Sequence, residues 1–174
     1  MITKKRTVLI AMVIMTLILL IGCGSNNDIN MDKFNKIYND NSEIADESDF
    51  YSIDKGHTIL DGTNETIESG TYKGKLKLSG SGTIWTYESS TDFDLKVPYS
   101  LSVKSEKAKI VLILPDNTVV DLVENTAKAT IKGPASITVP IKKGNNRIKV
   151  VGYNEADINL ELHIEKGTLK KIQY

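Results

Sequence analysis

Between Phe93 and Val103 the chain alternates without interruption. Phe93, Leu95, Val97, Tyr99, Leu101 and Val103 are apolar or aromatic, while Asp94, Lys96, Pro98, Ser100 and Ser102 between them are polar or ring-constrained. Successive side chains of a strand point to opposite faces, so this run gives one face to a core and the other to water. A run this long implies a strand that bends or is shared between two sheets. Pro98 has no N–H to give to a ladder, which puts it at an edge or a bulge.

The same period recurs along the chain. Tyr72, Leu76 and Leu78 alternate with Lys73, Lys75 and Lys77; Ile137, Val139 and Ile141 alternate with polar residues; Ile158, Leu160, Leu162 and Ile164 alternate with Asn159, Glu161, His163 and Glu165. Ile110 to Leu114 is unbroken apolar and rich in β-branched residues, the pattern of a central strand covered on both faces. Gly70, Ser79-Gly80-Ser81-Gly82, Pro115-Asp116-Asn117, Lys132-Gly133-Pro134, Lys142 to Asn146 and Lys166-Gly167 punctuate these runs as turns. About nine or ten short strands with turn signals every ~8–14 residues predict an all-β antiparallel β-sandwich, with a closed barrel as the alternative. Its expected extent is residues 55–174, enough for one core.

Residues 135–166 carry a further pattern: an alternating strand (Ile137, Val139, Ile141), a Lys143-Gly144-Asn145 turn, a strand ending Ile148-Lys149-Val150-Val151-Gly152, and a closing alternating strand from Ile158 to Ile164. This resembles the closing strands of galactose-binding-like jelly rolls, the sandwich shared by many carbohydrate-binding modules. The resemblance implies a jelly-roll-like architecture, and structural calcium in the manner of many such folds. It implies architecture more than function.

The N-terminus reads differently. Lys4, Lys5 and Arg6 precede an apolar stretch, Val8 to Ile21, broken only by Thr16. That is the order of an export signal, and the stretch is short for a spanning helix. Leu20-Ile21-Gly22-Cys23 resembles the lipobox of bacterial lipoproteins. The resemblance implies that residues 1–22 are a signal peptide and that Cys23 becomes a mature N-terminus carrying a diacylglyceryl group with palmitate-type chains. Two acyl chains hold a protein firmly, at about 0.8 kcal/mol per buried methylene. Cys23 is the only cysteine, so an internal disulfide is excluded. An uncleaved anchor helix is the alternative, and either route holds the product at the membrane. The Lys-, Asn- and Ile-rich composition resembles that of an AT-rich Gram-positive genome, implying the outer face of a single membrane.

Without residues 1–22 the chain has 19 basic and 22 acidic residues, and the acidic excess sits in Gly24 to Asp54. No basic footprint for nucleic acid exists, and Arg147 is the only arginine beyond the signal. Residues 23–54 therefore read as a lipid-anchored, mostly disordered acidic spacer. It would reach about 100 Å if fully extended. Within it Met31, Phe34, Ile37 and Tyr38 recur at helical spacing, predicting one short helix that either docks or stays loose.

No Ser/His/Asp set, GxSxG elbow, Walker loop or HExxH is present. His57 and His163 read as solvated, and strand alternation keeps Asp92 and Asp94 from converging with Glu88 in a pocket. The expectation is a non-catalytic binding or interaction domain without a cofactor. Asp61-Gly62-Thr63-Asn64-Glu65 is the one oxygen-rich loop, in which Asp61, Asn64 and Glu65 are weak calcium candidates and an ordinary turn is the plainer reading. A sugar site needs a ring to stack on a pyranose face with polar groups nearby. Trp85 and Tyr87 share one face of their segment, and Tyr153 with Asn154 stands at a strand end. For Trp85 the competing assignment is core. The expected partners are the membrane, through the anchor, and a cell-wall glycan, or alternatively an envelope protein complex with this chain as a structural subunit.

Overall fold

The computed structural model describes residues 31–53, 64–129 and 135–172. Two short helices, α1 (Met31–Ile37) and α2 (Asn41–Ala45), precede eight strands: β1 (Phe50–Ile53), β2 (Asn64–Glu68), β3 (Thr71–Ser89), β4 (Phe93–Ile113), β5 (Val119–Thr126), β6 (Ala135–Ile141), β7 (Gly144–His163) and β8 (Thr168–Leu169). All strand pairings are antiparallel. The fold is an antiparallel β-sandwich, as the alternation predicts.

Three strands of 19, 21 and 20 residues build it, with β7 lying between β3 and β4. Each long strand serves both layers. In one layer β2 flanks the first part of β3 and β6 flanks the first part of β4; in the other, β1 and β8 flank the later part of β3 and β5 the later part of β4. The crease is built from bulges, where an extra residue bends the strand and sharpens its twist. Register shifts fall between Leu78 and Gly80 and across Val103, Ser105 and Lys107. The left-handed residues Gly80, Glu106, Asn154 and Glu155 lie on the same line. The sequence pattern gave β7 as two strands separated at Gly152 to Asp157; it is one strand, creased there.

Alternation then fills the core. Tyr72, Leu76, Leu78, Leu101, Leu160 and Leu162 from one layer meet Ile84, Trp85, Ile110, Leu112, Ile148 and Val150 from the other. Ile110 to Ile113 are buried on both faces, as their unbroken apolar run requires: Ile110 and Leu112 face this core, Val111 and Ile113 a second cluster on the outer side. Pro98 pairs with Ser136 of β6 and lies one residue past Tyr99, where the pairing with β7 stops. On the β7 side Pro98 has no partner strand, an edge position of the kind proline tolerates.

The second cluster is made by the segment expected to be spacer. Ile37, Tyr38, Ile44 and Ala45 pack on Val111, Ile113 and Val151. The expectation of one short helix is corrected to two. Within that segment, expected to be mostly disordered, Asp40 is in extended conformation, and its carboxylate accepts from the Ser42 and Glu43 N–H groups and caps α2. Two cations of β7 fasten the far end. Arg147 donates to the Ala45 and Asp46 carbonyls at 2.7 and 3.2 Å, and Lys149 to the Asp46 and Ser48 carbonyls at 2.8 and 3.2 Å. Lys149 also faces Asp49 at 3.4 Å, and Asp49 accepts from the N–H and hydroxyl of Thr83. Burial pulls Lys149 below the ordinary lysine range, with Asp49 opposing.

Candidate functional site

Tyr153 and Asn154 stand on the crease of β7, on the outer side that α1 covers. Lys107, opposite Tyr153 in the β4–β7 ladder, holds its ammonium 4.2 Å from the centre of the Tyr38 ring and 5.1 Å from that of Tyr153. The two rings meet edge to face at 5.9 Å, a favourable pairing of ring quadrupoles. Tyr38 donates its hydroxyl to Glu124 Oε1 at 2.8 Å. Burial first, and the Glu124 carboxylate second, push this phenol well above its usual range, so it remains a protonated donor.

The neighbouring wall is the polar face of α1. Ile37 and Tyr38 pack on the sheet, while Asp32, Asn35, Lys36 and Asn39 share one stripe at i, i+3, i+4 and i+7. Asn35 Oδ1 accepts from the Asn154 backbone N–H at 2.8 Å and fixes the helix against the crease. Asn154 Nδ2 donates to Glu106 Oε1 at 3.3 Å, from one left-handed residue to another across the bend. Asp32, Lys33, Asn35, Lys36, Asn39 and the half-buried Tyr153 together line an open groove of about 560 Å³. Amides, a carboxylate and ammonium groups beside an aromatic ring can exchange hydrogen bonds with several hydroxyls while the ring covers an apolar face.

The other candidates fall elsewhere. Trp85 is fully buried and its indole N–H donates to the Lys166 carbonyl at 2.6 Å, so it is a core residue and no platform for a ligand. A register shift between Thr83 and Trp85 turns Ile84 and Trp85 both inward. Tyr87 is half-buried, stacked on Trp85 at 5.8 Å and meeting Phe93 edge to face at 6.1 Å. The structure thus separates the Trp85–Tyr87 pair from Tyr153–Asn154. Asp61 lies outside the described residues, as do Cys23 and His57. Asn64 is exposed on β2, while Glu65 is buried and accepts from the Tyr72 hydroxyl at 2.6 Å and the Ile172 N–H at 2.9 Å. Its carboxylate closes the core beneath the C-terminal segment, and no cluster of three or more His, Cys, Asp or Glu suited to a metal occurs among the described residues. His163 Nδ1 lies 2.9 Å from the Thr71 hydroxyl. Asp92 is held by Lys142 at 2.9 Å and the Lys143 N–H at 2.8 Å, with Asp94 and Glu88 exposed on their strands.

The α1 stripe is what the sequence reading missed. The signal was present in Met31 to Asn39, since an apolar helical face defines a polar one, but nothing local placed that face beside Tyr153.

No family model matches the chain, and no curated protein matches it. Among solved structures it is similar to a family 29 carbohydrate-binding module, at 8% identity and a TM-score of 0.38, covering 67% of this chain and 73% of that one. A variant of such a module in complex with mannohexaose gives 8% identity and a TM-score of 0.39, covering 67% and 76%. Likeness this distant carries no argument about ligand or site residues.

Proposed function

We propose that this chain is an exported lipoprotein, anchored through a diacylglyceryl group on Cys23, whose β-sandwich is a non-catalytic binding module for a cell-wall glycan at the outer membrane face. The observation that carries the binding reading is the groove in which the polar stripe of α1 stands beside Tyr153. The lipobox-like Leu20 to Cys23 motif supports the anchor. A structural subunit of an envelope complex would instead offer an apolar patch. Ile67, 37% exposed, is the one large hydrophobic side chain that is exposed among the described residues, so this reading has less support.

The anchor places the module close to the bilayer. Seven residues, Gly24 to Asn30, separate Cys23 from α1, a span of at most about 25 Å. The test of anchoring is membrane fractionation of cells labelled with a radioactive fatty acid. Label on the wild type and none on Cys23→Ala is expected; label on both counts against Cys23 as the acceptor. The test of binding is sedimentation of the protein with insoluble wall polysaccharide, with Tyr153→Ala as the comparison.

A further inference from the structure

Residues 31–49 are held by side-chain contacts of two kinds and by no strand pairing. The apolar kind is Ile37, Tyr38, Ile44 and Ala45 against Val111, Ile113 and Val151. The polar kind is the set of backbone carbonyls captured by Arg147 and Lys149, with Asp49 at Lys149 and Thr83, Asn35 at Asn154, and Tyr38 at Glu124 and Lys107. Helices of seven and five residues do not persist by themselves in water, so α1 and α2 exist only while docked. The sheet does not share this dependence, because its main core draws on both layers and on none of the helical residues.

Undocking also has a compensation. Lys149 has no exposed side-chain surface and Arg147 is 7% exposed under the segment, and both regain water when it leaves. Burial of an ion opposes its charged form, so hydration of the two cations offsets part of the lost contact. Few buried apolar contacts, a polar latch and no hydrogen-bonded strand within residues 31–49 are the marks of a unit that opens below the free energy of global unfolding.

The groove depends on this same unit. Five of its six lining residues, Asp32, Lys33, Asn35, Lys36 and Asn39, belong to the segment, and Tyr153 alone belongs to the sheet. We infer that residues 31–49 form a strap that opens and docks independently of the sandwich, latched by Arg147 and Lys149, and that ligand in the groove and docking of the strap stabilise each other. The coupling rests on the glycan reading of the groove; the independent opening does not. A ligand that touches both walls binds only the docked state, so it shifts the strap toward docking, and whatever weakens docking weakens binding by the same factor.

Amide hydrogen exchange on the full chain in detergent micelles, resolved by peptide, tests this. In the free wild type the amides of residues 31–49 are expected to exchange at least about a hundredfold faster than the central amides of β3, β4 and β7. Lys149→Met, which keeps the apolar stem and removes the latch, is expected to speed the strap a further tenfold or so and leave the strands unchanged. Ile44→Ala weakens docking from the strap side and serves the same purpose should Lys149→Met not fold. Strap and strands exchanging together, in the wild type and in either variant, would overturn the independent opening. Soluble peptidoglycan glycan strands are the ligand probe. Binding that slows exchange of residues 31–49, and that is weaker in Ile44→Ala, supports the coupling; binding with strap exchange unchanged overturns it. No binding by the wild type counts against the glycan reading and its coupling, while exchange in the free protein still decides whether the strap opens alone.

Discussion

Trp85 and Tyr153 show how one residue type can be read correctly for chemistry and incompletely for place. Both are aromatic and followed by a polar residue, Thr86 and Asn154. The bulge after Thr83 decides the first, because one extra residue turns both Ile84 and Trp85 to the inside. No local pattern announces a bulge, so alternation alone left Trp85 between core and platform. Trp85→Ala is expected to destabilise the fold by about 3–5 kcal/mol, as for other large aromatic side chains deleted from a core. Urea unfolding measures this, and a loss under about 1 kcal/mol would contradict a core role. Gly152 is as demanding: a Cβ there would stand 2.3 Å from the Leu78 carbonyl oxygen across the crease. Gly152→Ala is therefore expected to yield little folded protein, read by the recovered soluble fraction and its circular dichroism. Full recovery with an unchanged melting temperature would show that the crease relaxes.

At the scale of elements, the inward faces of the strands were legible, while the joining of short runs into three strands of 19, 21 and 20 residues and the docking of the strap were not. Period two survives a crease, so Phe93 to Val103 and Ile158 to Ile164 gave strands with the correct inward face, and Ile110 to Leu114 gave a strand covered twice. The helical spacing of Met31, Phe34, Ile37 and Tyr38 gave α1. What covered the outer face of Val111 and Ile113 was not legible, because the partners of the strap lie about a hundred residues away, as Arg147 does from Ala45. Asn39, Asp40, Asn41 and Ser42 favour turns and helix caps alike, so the cap at Asp40 is not legible from residue type. Acid should act on the strap first. Asp40 is held below the ordinary carboxylate value by the Ser42 hydroxyl and by the Glu43 and Ser42 N–H groups, and Asp46 by the hydroxyl and N–H of Ser48. For a carboxylate with a lowered native pKa the opened state binds more protons, so its stabilising effect is present above about pH 4 and lost as pH falls through the native value. Exchange or proteolysis within residues 31–49 is expected to rise below about pH 4, before the near-ultraviolet signal of Trp85 changes. Simultaneous loss of both would contradict a separately held strap.

At the scale of the whole molecule, three creased strands make a rigid two-layer body, and a short segment next to a candidate lipid anchor supplies most of one binding wall. Sequence alternation gives the body because burial of alternate side chains is a local property of the chain. The groove is assembled from residues 32–39 and 153, and only the folded arrangement brings them together. A truncated form starting at residue 50 keeps Tyr153 and the sheet yet lacks that wall, so it is expected to fold and to bind poorly. The most direct test of the central claim is the binding isotherm of the chain from residue 24 on insoluble wall polysaccharide, measured beside Tyr153→Ala with melting temperatures for both. Saturable binding that weakens about tenfold or more in Tyr153→Ala, a difference of about 1.4 kcal/mol, with little change in melting, is the expected result. Absence of saturable binding by the folded wild type, or equal binding by the variant, would contradict it.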